Sequence, residues 1–175
     1  FNTTGGAVSI TEDSSTTVSA ASTAGAGLTL SSADDVTLDD TVDVTGATSI
    51  TAGTTANGHI DVNVKLTGTT TILLDAADEI TIDAAIDPTT VTLEADDDID
   101  INAAVVATTL ITISAGQDGS GSANINSGGM VTTTDAGSDI AITSGATSGA
   151  IVLAEDVTAV DRLTLTSNGT GVISQ

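Results

Sequence analysis

Carboxylates are the side chains in this sequence whose type and spacing could support chemistry. Twenty-four Asp and Glu outnumber two Lys and Arg and one His, which gives a formal net charge of −22 at pH 7. Several carboxylates stand in pairs just ahead of short apolar segments. Hard cations such as Ca²⁺ bind carboxylate and carbonyl oxygens. The pattern therefore predicts candidate calcium ligands at Asp34, Asp35, Asp78, Glu79, Asp97, Asp98, Asp118 and Asp139.

Calcium is one of two interpretations of these residues. The segment 96–100 (DDDID) lacks the Gly and the terminal Glu of an EF-hand loop. The segment 116–121 (GQDGSG) fails the pattern of the glycine-rich calcium repeats and occurs once, which favours a glycine-rich turn that bulges from the fold. The alternative is a solvated acidic edge that keeps the protein soluble. We expect that no cofactor is required, with Ca²⁺ as a candidate ligand.

The composition argues against an enzyme and against nucleic acid as a partner. The chain has no Cys and no Tyr, a single His and a single aromatic residue, Phe1. Little remains for acid–base chemistry near neutral pH. The negative charge opposes binding to phosphate backbones and to anionic membrane surfaces. No apolar run approaches the roughly 20 residues of a membrane-spanning helix, so we expect no membrane insertion.

A repeat of about 20 residues organises most of the chain. Short segments of the type apolar-x-apolar recur, and their second apolar positions serve as markers. The steps between markers are 20, 20, 24, 19, 20, 20 and 20 residues. The markers are Ile10, Leu30, Ile50, Leu74, Leu93, Ile113, Thr133 and Leu153.

Each repeat contains a second short strand and often a third apolar pair. Alternation at period 2 places Val, Ile and Leu on one face, where a single repeat cannot bury them. Stacking the repeats in register buries that face. We therefore predict an all-β fold, a right-handed parallel β-helix of about eight rungs, that forms one module over residues 1–175. Because the sequence starts at Phe1, we expect it to be processed or to be a segment of a longer fibrous chain.

Three segments resemble the repeats of filamentous-haemagglutinin-type giant bacterial surface proteins. They are 72–85 (ILLDAADEITIDAA), 91–104 (VTLEADDDIDINAA) and 163–175 (LTLTSNGTGVISQ), and the resemblance extends from about Ala7 onward. The resemblance implies a right-handed parallel β-helix in a secreted or cell-surface fibrous protein. It supplies no catalytic residues.

Two functional hypotheses from different classes follow. The first is a structural module of an extracellular fibre, filament or adhesin stalk that assembles with itself end to end. The second is a binding module with a Ca²⁺-dependent adhesive face for a host or neighbouring-cell surface, or with an ice-binding threonine face. Thr29, Thr92, Thr112 and Thr132 occupy similar repeat positions, but Ser49, Leu73 and Val152 interrupt the series.

The remaining polar residues point to structural roles. A column after the second strand predicts Asx turns and stacked amides; its members are Asp39, Asn63, Asp83, Asn102 and Asn126. We expect His59 to be an exposed turn residue, and Lys65 and Arg162 to form surface ion pairs.

Overall fold

Three parallel β-sheets run along the molecule in the computed structural model, which describes residues 1–54, 57–68 and 70–175. The described residues contain no helix, and the strands stack as a β-solenoid of about eight turns. The predicted fold class is confirmed. Along the chain a turn, or rung, contributes a strand to sheet 1, then to sheet 2, and in most rungs then to sheet 3.

Sheet 1 contains the longest strands, most of them six residues long. Neighbouring strands pair in parallel from one end of the solenoid to the other. The strands are β2 (Ala7–Glu12), β5 (Gly27–Ser32), β8 (Ala47–Ala52), β11 (Thr71–Ala76), β13 (Thr90–Ala95), β16 (Leu110–Ser114), β19 (Asp139–Ser144) and β22 (Arg162–Ser167).

Sheets 2 and 3 have shorter strands. Sheet 2 comprises β3 (Thr16–Val18), β6 (Val36–Leu38), β9 (Ile60–Val62), β12 (Ile80–Ile82), β14 (Ile99–Ile101), β17 (Ala123–Ile125), β20 (Ile151–Leu153) and β23 (Ile173–Ser174). Sheet 3 comprises β1 (Asn2–Thr3), β4 (Ser22–Ala24), β7 (Val42–Val44), β10 (Leu66–Gly68), β15 (Ala104–Ala107), β18 (Met130–Thr133) and β21 (Val157–Thr158). Ile86 bridges β10 to β15 and so continues sheet 3.

The core is a set of aliphatic columns that run along the solenoid axis. Strands alternate between buried and outward residues, as the period of 2 in the sequence predicts. The column of Ile50, Leu74, Leu93 and Ile113 is fully buried. β-branched and aliphatic side chains pack well on such pleated surfaces, and the narrow interior accounts for the scarcity of aromatic residues.

The marker series is correct for six rungs and wrong for the last two. Ile10 to Ile113 lie in sheet 1, but Thr133 lies in β18 of sheet 3 and Leu153 in β20 of sheet 2. The residues that continue the column are Ile142 and Leu165, 29 and 23 residues further on. The cause is longer corners in the sixth rung: residues 115–122 join β16 to β17, whereas residues 96–98 join β13 to β14.

Side-chain hydrogen bonds join neighbours of the predicted Asx column at the end of sheet 2, and we call this column the Asx ladder. The Asn63 amide donates to Asp39 Oδ1 at 2.9 Å, and the Asn102 amide donates to Asp83 Oδ1 at 2.7 Å. Asn126 continues the ladder by donating to Asn102 Oδ1 at 2.8 Å. The stacked-amide prediction is confirmed. The left-handed backbone that Asx residues tolerate is not used, because every described residue with positive φ is a glycine.

Replacing one amide of this ladder by a carboxylate should destabilise the solenoid. Asn102→Asp removes the donor to Asp83 and sets two like charges side by side, at a cost of about 1–2 kcal/mol. The double variant Asp83→Asn with Asn102→Asp restores one donor and one acceptor. Urea unfolding should therefore show a loss in the single variant and recovery in the double variant. Equal losses in both would contradict the ladder.

Candidate cation site at the acidic corner

The turns between sheet 1 and sheet 2 in the first six rungs line one edge of the solenoid, which we call the acidic corner. It comprises residues 13–15, 33–35, 77–79, 96–98 and 115–122 and the described part of 53–59. These turns follow an apolar strand of sheet 1 and precede one of sheet 2, so their polar side chains face solvent. Most predicted calcium ligands lie here: Asp34, Asp35, Asp78, Glu79, Asp97, Asp98 and Asp118.

Asp139 does not belong to the acidic corner. In the sequence it precedes the apolar segment Ile140–Ile142, just as the corner carboxylates precede the strands of sheet 2. That segment is part of β19 in sheet 1, where Asp139 is the first residue and pairs in register with Leu110 and Arg162. Its carboxylate forms an ion pair with the Arg162 guanidinium. The longer corners of the sixth rung shift this strand out of the expected register.

Two of the corner carboxylates hold the turn of the next rung. Asp35 Oδ1 accepts the backbone N–H of His59 at 3.1 Å, and Asp98 Oδ1 accepts the backbone N–H of Ser122 at 2.6 Å. In the following rung the Ser122 hydroxyl oxygen accepts the N–H of Ala150 at 3.1 Å. A charged acceptor strengthens such bonds. Asp35 and Asp98 therefore have a structural role that needs no cation.

His59 lies between carboxylates of the acidic corner. Its Nε2 is 3.4 Å from Asp78 Oδ2 and its Nδ1 is 4.0 Å from Glu79 Oε2. The side chain is 43% exposed, as expected for a turn residue. When protonated, the imidazole offsets part of the negative charge. The predicted surface ion pairs of Lys65 and Arg162 are also present, with Lys65 Nζ 2.9 Å from Asp87 Oδ2.

Burial, together with neighbouring like charges, raises the pKa of two carboxyls at the acidic corner. Burial, followed by the charges of Asp98, Asp78 and Asp118, raises the pKa of Asp97. Burial and then the neighbouring Asp100 raise the pKa of Glu79. Both effects disfavour the ionised form. The corner carboxylates of adjacent rungs therefore repel one another.

The outward face of sheet 2 carries further carboxylates that sequence reasoning did not include. Burial raises the pKa of Asp61; the His59 charge lowers it, and the charges of Asp35, Asp83 and Asp39 raise it. Asp61 and Asp100 are the central residues of β9 and β14 and point outward. The alternation in IDV and IDI would have revealed them. On sheet 1, burial and then Asp96 raise the pKa of Asp75.

The acidic corner is a line of carboxylates rather than a cage. Across residues 1–54, 57–68 and 70–175, no three His, Cys, Asp or Glu side chains converge to hold a metal ion. Calcium takes six to eight oxygen ligands, which a row of single turns does not present around one point. Binding of cations along this line of carboxylates stays a prediction.

The threonine series is also interrupted in three dimensions. Sheet 1 aligns Thr29, Ser49, Leu73, Thr92 and Thr112 in one outward column. The column continues through Ala141 and Thr164, not through Thr132 and Val152, which lie in sheets 3 and 2. The face is therefore not an unbroken array of one residue type.

Comparison with known proteins finds no matching protein-family model, no matching curated protein and no matching solved structure. In the described residues no helix is long and apolar enough to span a membrane. The fold and the charge distribution are therefore the observations on which a function can be argued.

Acidification should stabilise the folded chain. Asp61, Asp75, Glu79 and Asp97 have raised pKa values in the folded state. Their contribution to stability is complete below the unfolded pKa values and is lost as pH rises through the folded ones. The thermal midpoint should rise as pH falls from about 7 to about 4.5.

Two variants test the cause of this pH dependence. Asp61→Asn should raise the midpoint at pH 7 and flatten its dependence on pH. Asp135→Asn removes the same charge from an exposed turn remote from the acidic corner and should leave the slope unchanged. A wild-type midpoint that falls steadily on acidification would contradict this account.

Calcium should stabilise the solenoid through counter-ion binding to the acidic corner. A net charge of −22 opposes the compact state, and a cation that binds the folded form adds stability by mass action. Thermal midpoints in millimolar Ca²⁺ should exceed those in chelator at matched ionic strength by a few degrees. Identical thermal midpoints in Ca²⁺ and in chelator would contradict cation binding and would indicate that the acidic corner serves only solubility.

Proposed function

We propose that the chain is a structural module of an extracellular fibre, filament or adhesin stalk. The observation that carries this proposal is the continuous pairing of eight parallel strands in sheet 1 and of eight in sheet 2. With about 4.8 Å between strands, eight rungs give a rod roughly 40 Å long. The segments that resemble filamentous-haemagglutinin-type surface proteins support the same function and an extracellular location.

The continuous core and the high negative charge of the rod support a function as a spacer in such a fibre or stalk. Its columns of buried Ile, Leu and Val continue from rung to rung, and ladder hydrogen bonds join each rung to the next. Such a structure resists bending. Its charge of −22 disfavours side-by-side aggregation of rods. A binding function would need a convergent site or an unbroken face, and neither the acidic corner nor the threonine column supplies one.

Immunogold electron microscopy of producing cells tests the proposal. Antibodies raised against the 175-residue chain should label filaments or stalks outside intact cells. Cells from which the coding sequence has been deleted serve as the control and should show no label. Labelling confined to the interior of sectioned cells would overturn the proposed function.

A further inference from the structure

We propose that Asn57 is a site of spontaneous deamidation, which places a carboxylate in the acidic corner. The turn that holds it, residues 53–59 (GTTANGH), contains no Asp or Glu, whereas the corner turns of the other five rungs in this row each contain at least one. Asn57 is followed by Gly58, and a glycine has no side chain to hinder attack by its backbone nitrogen. This modification goes beyond the proposed function and does not depend on it.

The reaction needs only water as a co-reactant. The backbone nitrogen of Gly58 loses its proton to solvent base and attacks Cγ of Asn57. The new N–Cγ bond closes a succinimide ring, and Nδ2 takes up a proton and leaves as ammonia. Water then opens the ring at either carbonyl carbon, which leaves an aspartate or an isoaspartate. The net change converts an amide into a carboxylate, with no oxidation or reduction.

The backbone N–H of Gly58 is available for this attack. Neighbouring N–H groups of the turn are held: that of Gly53 donates to the Asp34 carbonyl at 3.0 Å, and that of His59 donates to Asp35 Oδ1 at 3.1 Å. Within the described residues, the N–H of Gly58 donates no hydrogen bond, although this glycine is buried. A buried N–H without an acceptor is unfavourable, and ring closure removes it.

The packing of the corner requires glycine after Asn57. A Cβ on Gly58 would lie 2.2 Å from the backbone nitrogen of Gly53 and 2.5 Å from its Cα. A residue with a side chain, which would slow succinimide formation by crowding the nitrogen, therefore cannot replace Gly58 without a shift of the backbone. The labile Asn–Gly pair is a consequence of how this turn closes.

The chain contains a second Asn–Gly pair whose asparagine is held in place. The Asn168 amide donates to the carbonyl of Ser144 at 3.2 Å. The asparagine amides of sheet 2 and of the Asx ladder also donate to side chains of the preceding rung; they belong to Asn63, Asn102, Asn124 and Asn126. Asn57 is exposed, and within the described residues its side chain forms no hydrogen bond. Asn168 therefore serves as an internal control.

The carboxylate that forms at position 57 adds to a row of like charges. Carboxylates occupy the corners of the rungs before and after it: Asp34, Asp35, Asp78 and Glu79. Like charges on neighbouring strands repel one another. Asn57→Asp, which reproduces one product, should therefore have a lower thermal midpoint than the wild type at about 0.01 M salt, and most of this loss should disappear at about 1 M salt. Asn57→Gln is neutral and should match the wild type. A midpoint of Asn57→Asp equal to that of Asn57→Gln at low salt would contradict the charge effect.

Peptide mapping tests the modification itself. Lys65 and Arg162 are the only basic cleavage points for trypsin, which therefore separates residues 1–65, with Asn57, from residues 163–175, with Asn168. In folded protein incubated near neutral pH, mass spectrometry should show deamidation of peptide 1–65 about fivefold faster than that of peptide 163–175, because the hydrogen bond of Asn168 must first open. Asn57→Gln should abolish most of the change in peptide 1–65, because glutamine cyclises far more slowly.

Incubation in urea separates the effect of the fold from that of the local sequence. Both Asn–Gly pairs are unstructured there and should react at similar rates. A fivefold ratio that persists in urea would overturn the structural argument. The proposal also fails if peptide 1–65 of the folded chain stays unmodified while peptide 163–175 reacts, or if Asn57→Gln leaves the rate unchanged. These outcomes have no bearing on immunogold labelling outside the cell, so they leave the proposed function untouched.

Discussion

Parallel stacking in register is the constraint on which the rest of this structure depends. Each strand residue meets its counterpart in the next rung about 4.8 Å away. Such repetition buries aliphatic side chains against one another, and the column through Leu74, Leu93 and Ile113 is fully buried. Repeated carboxylates destabilise the fold, because repetition places like charges side by side. A chain with 24 acidic residues must therefore limit this repulsion wherever its rungs repeat.

The solenoid limits the repulsion in several ways that differ in chemistry. Asp35 and Asp98 each accept a hydrogen bond from a backbone N–H group of the following turn. Asn102 stands above Asp83 in the Asx ladder and supplies a donor where a second carboxylate would repel. His59 places an imidazole beside Asp78. At Asp61, Asp75, Glu79 and Asp97, burial and then neighbouring charges raise the pKa, so ionisation of these four carboxyls lowers the stability of the fold.

Much of this organisation could be predicted from the alternation of Val, Ile and Leu, which identifies strands and their inward faces. The register of the last rungs could not be predicted in this way. A segment such as VTT or IVL fits any of the three sheets, and the lengths of the corners before it determine which sheet it joins. The glycines of segment 116–121 were the available signal: Gly116 has a φ of 71°, a backbone that favours glycine in a widened corner. For the same reason the sequence pattern does not show that Asp139 lies in sheet 1. Asp34 and Asp78 lie in three-residue corners directly ahead of the strands Val36–Leu38 and Ile80–Ile82, which the sequence pattern identifies.

Disulfide trapping across the widened sixth rung tests the register most directly, because the chain has no cysteine of its own. The structure pairs Thr112 with Ala141 in sheet 1, whereas a constant period of 20 residues would pair Thr112 with Thr132. Neighbouring parallel strands bring Cα atoms within the 4.4–6.8 Å range that disulfides need. The variant with Thr112→Cys and Ala141→Cys should form an intramolecular disulfide under native conditions, and the variant with Thr112→Cys and Thr132→Cys should not. The opposite result would contradict the in-register solenoid described above.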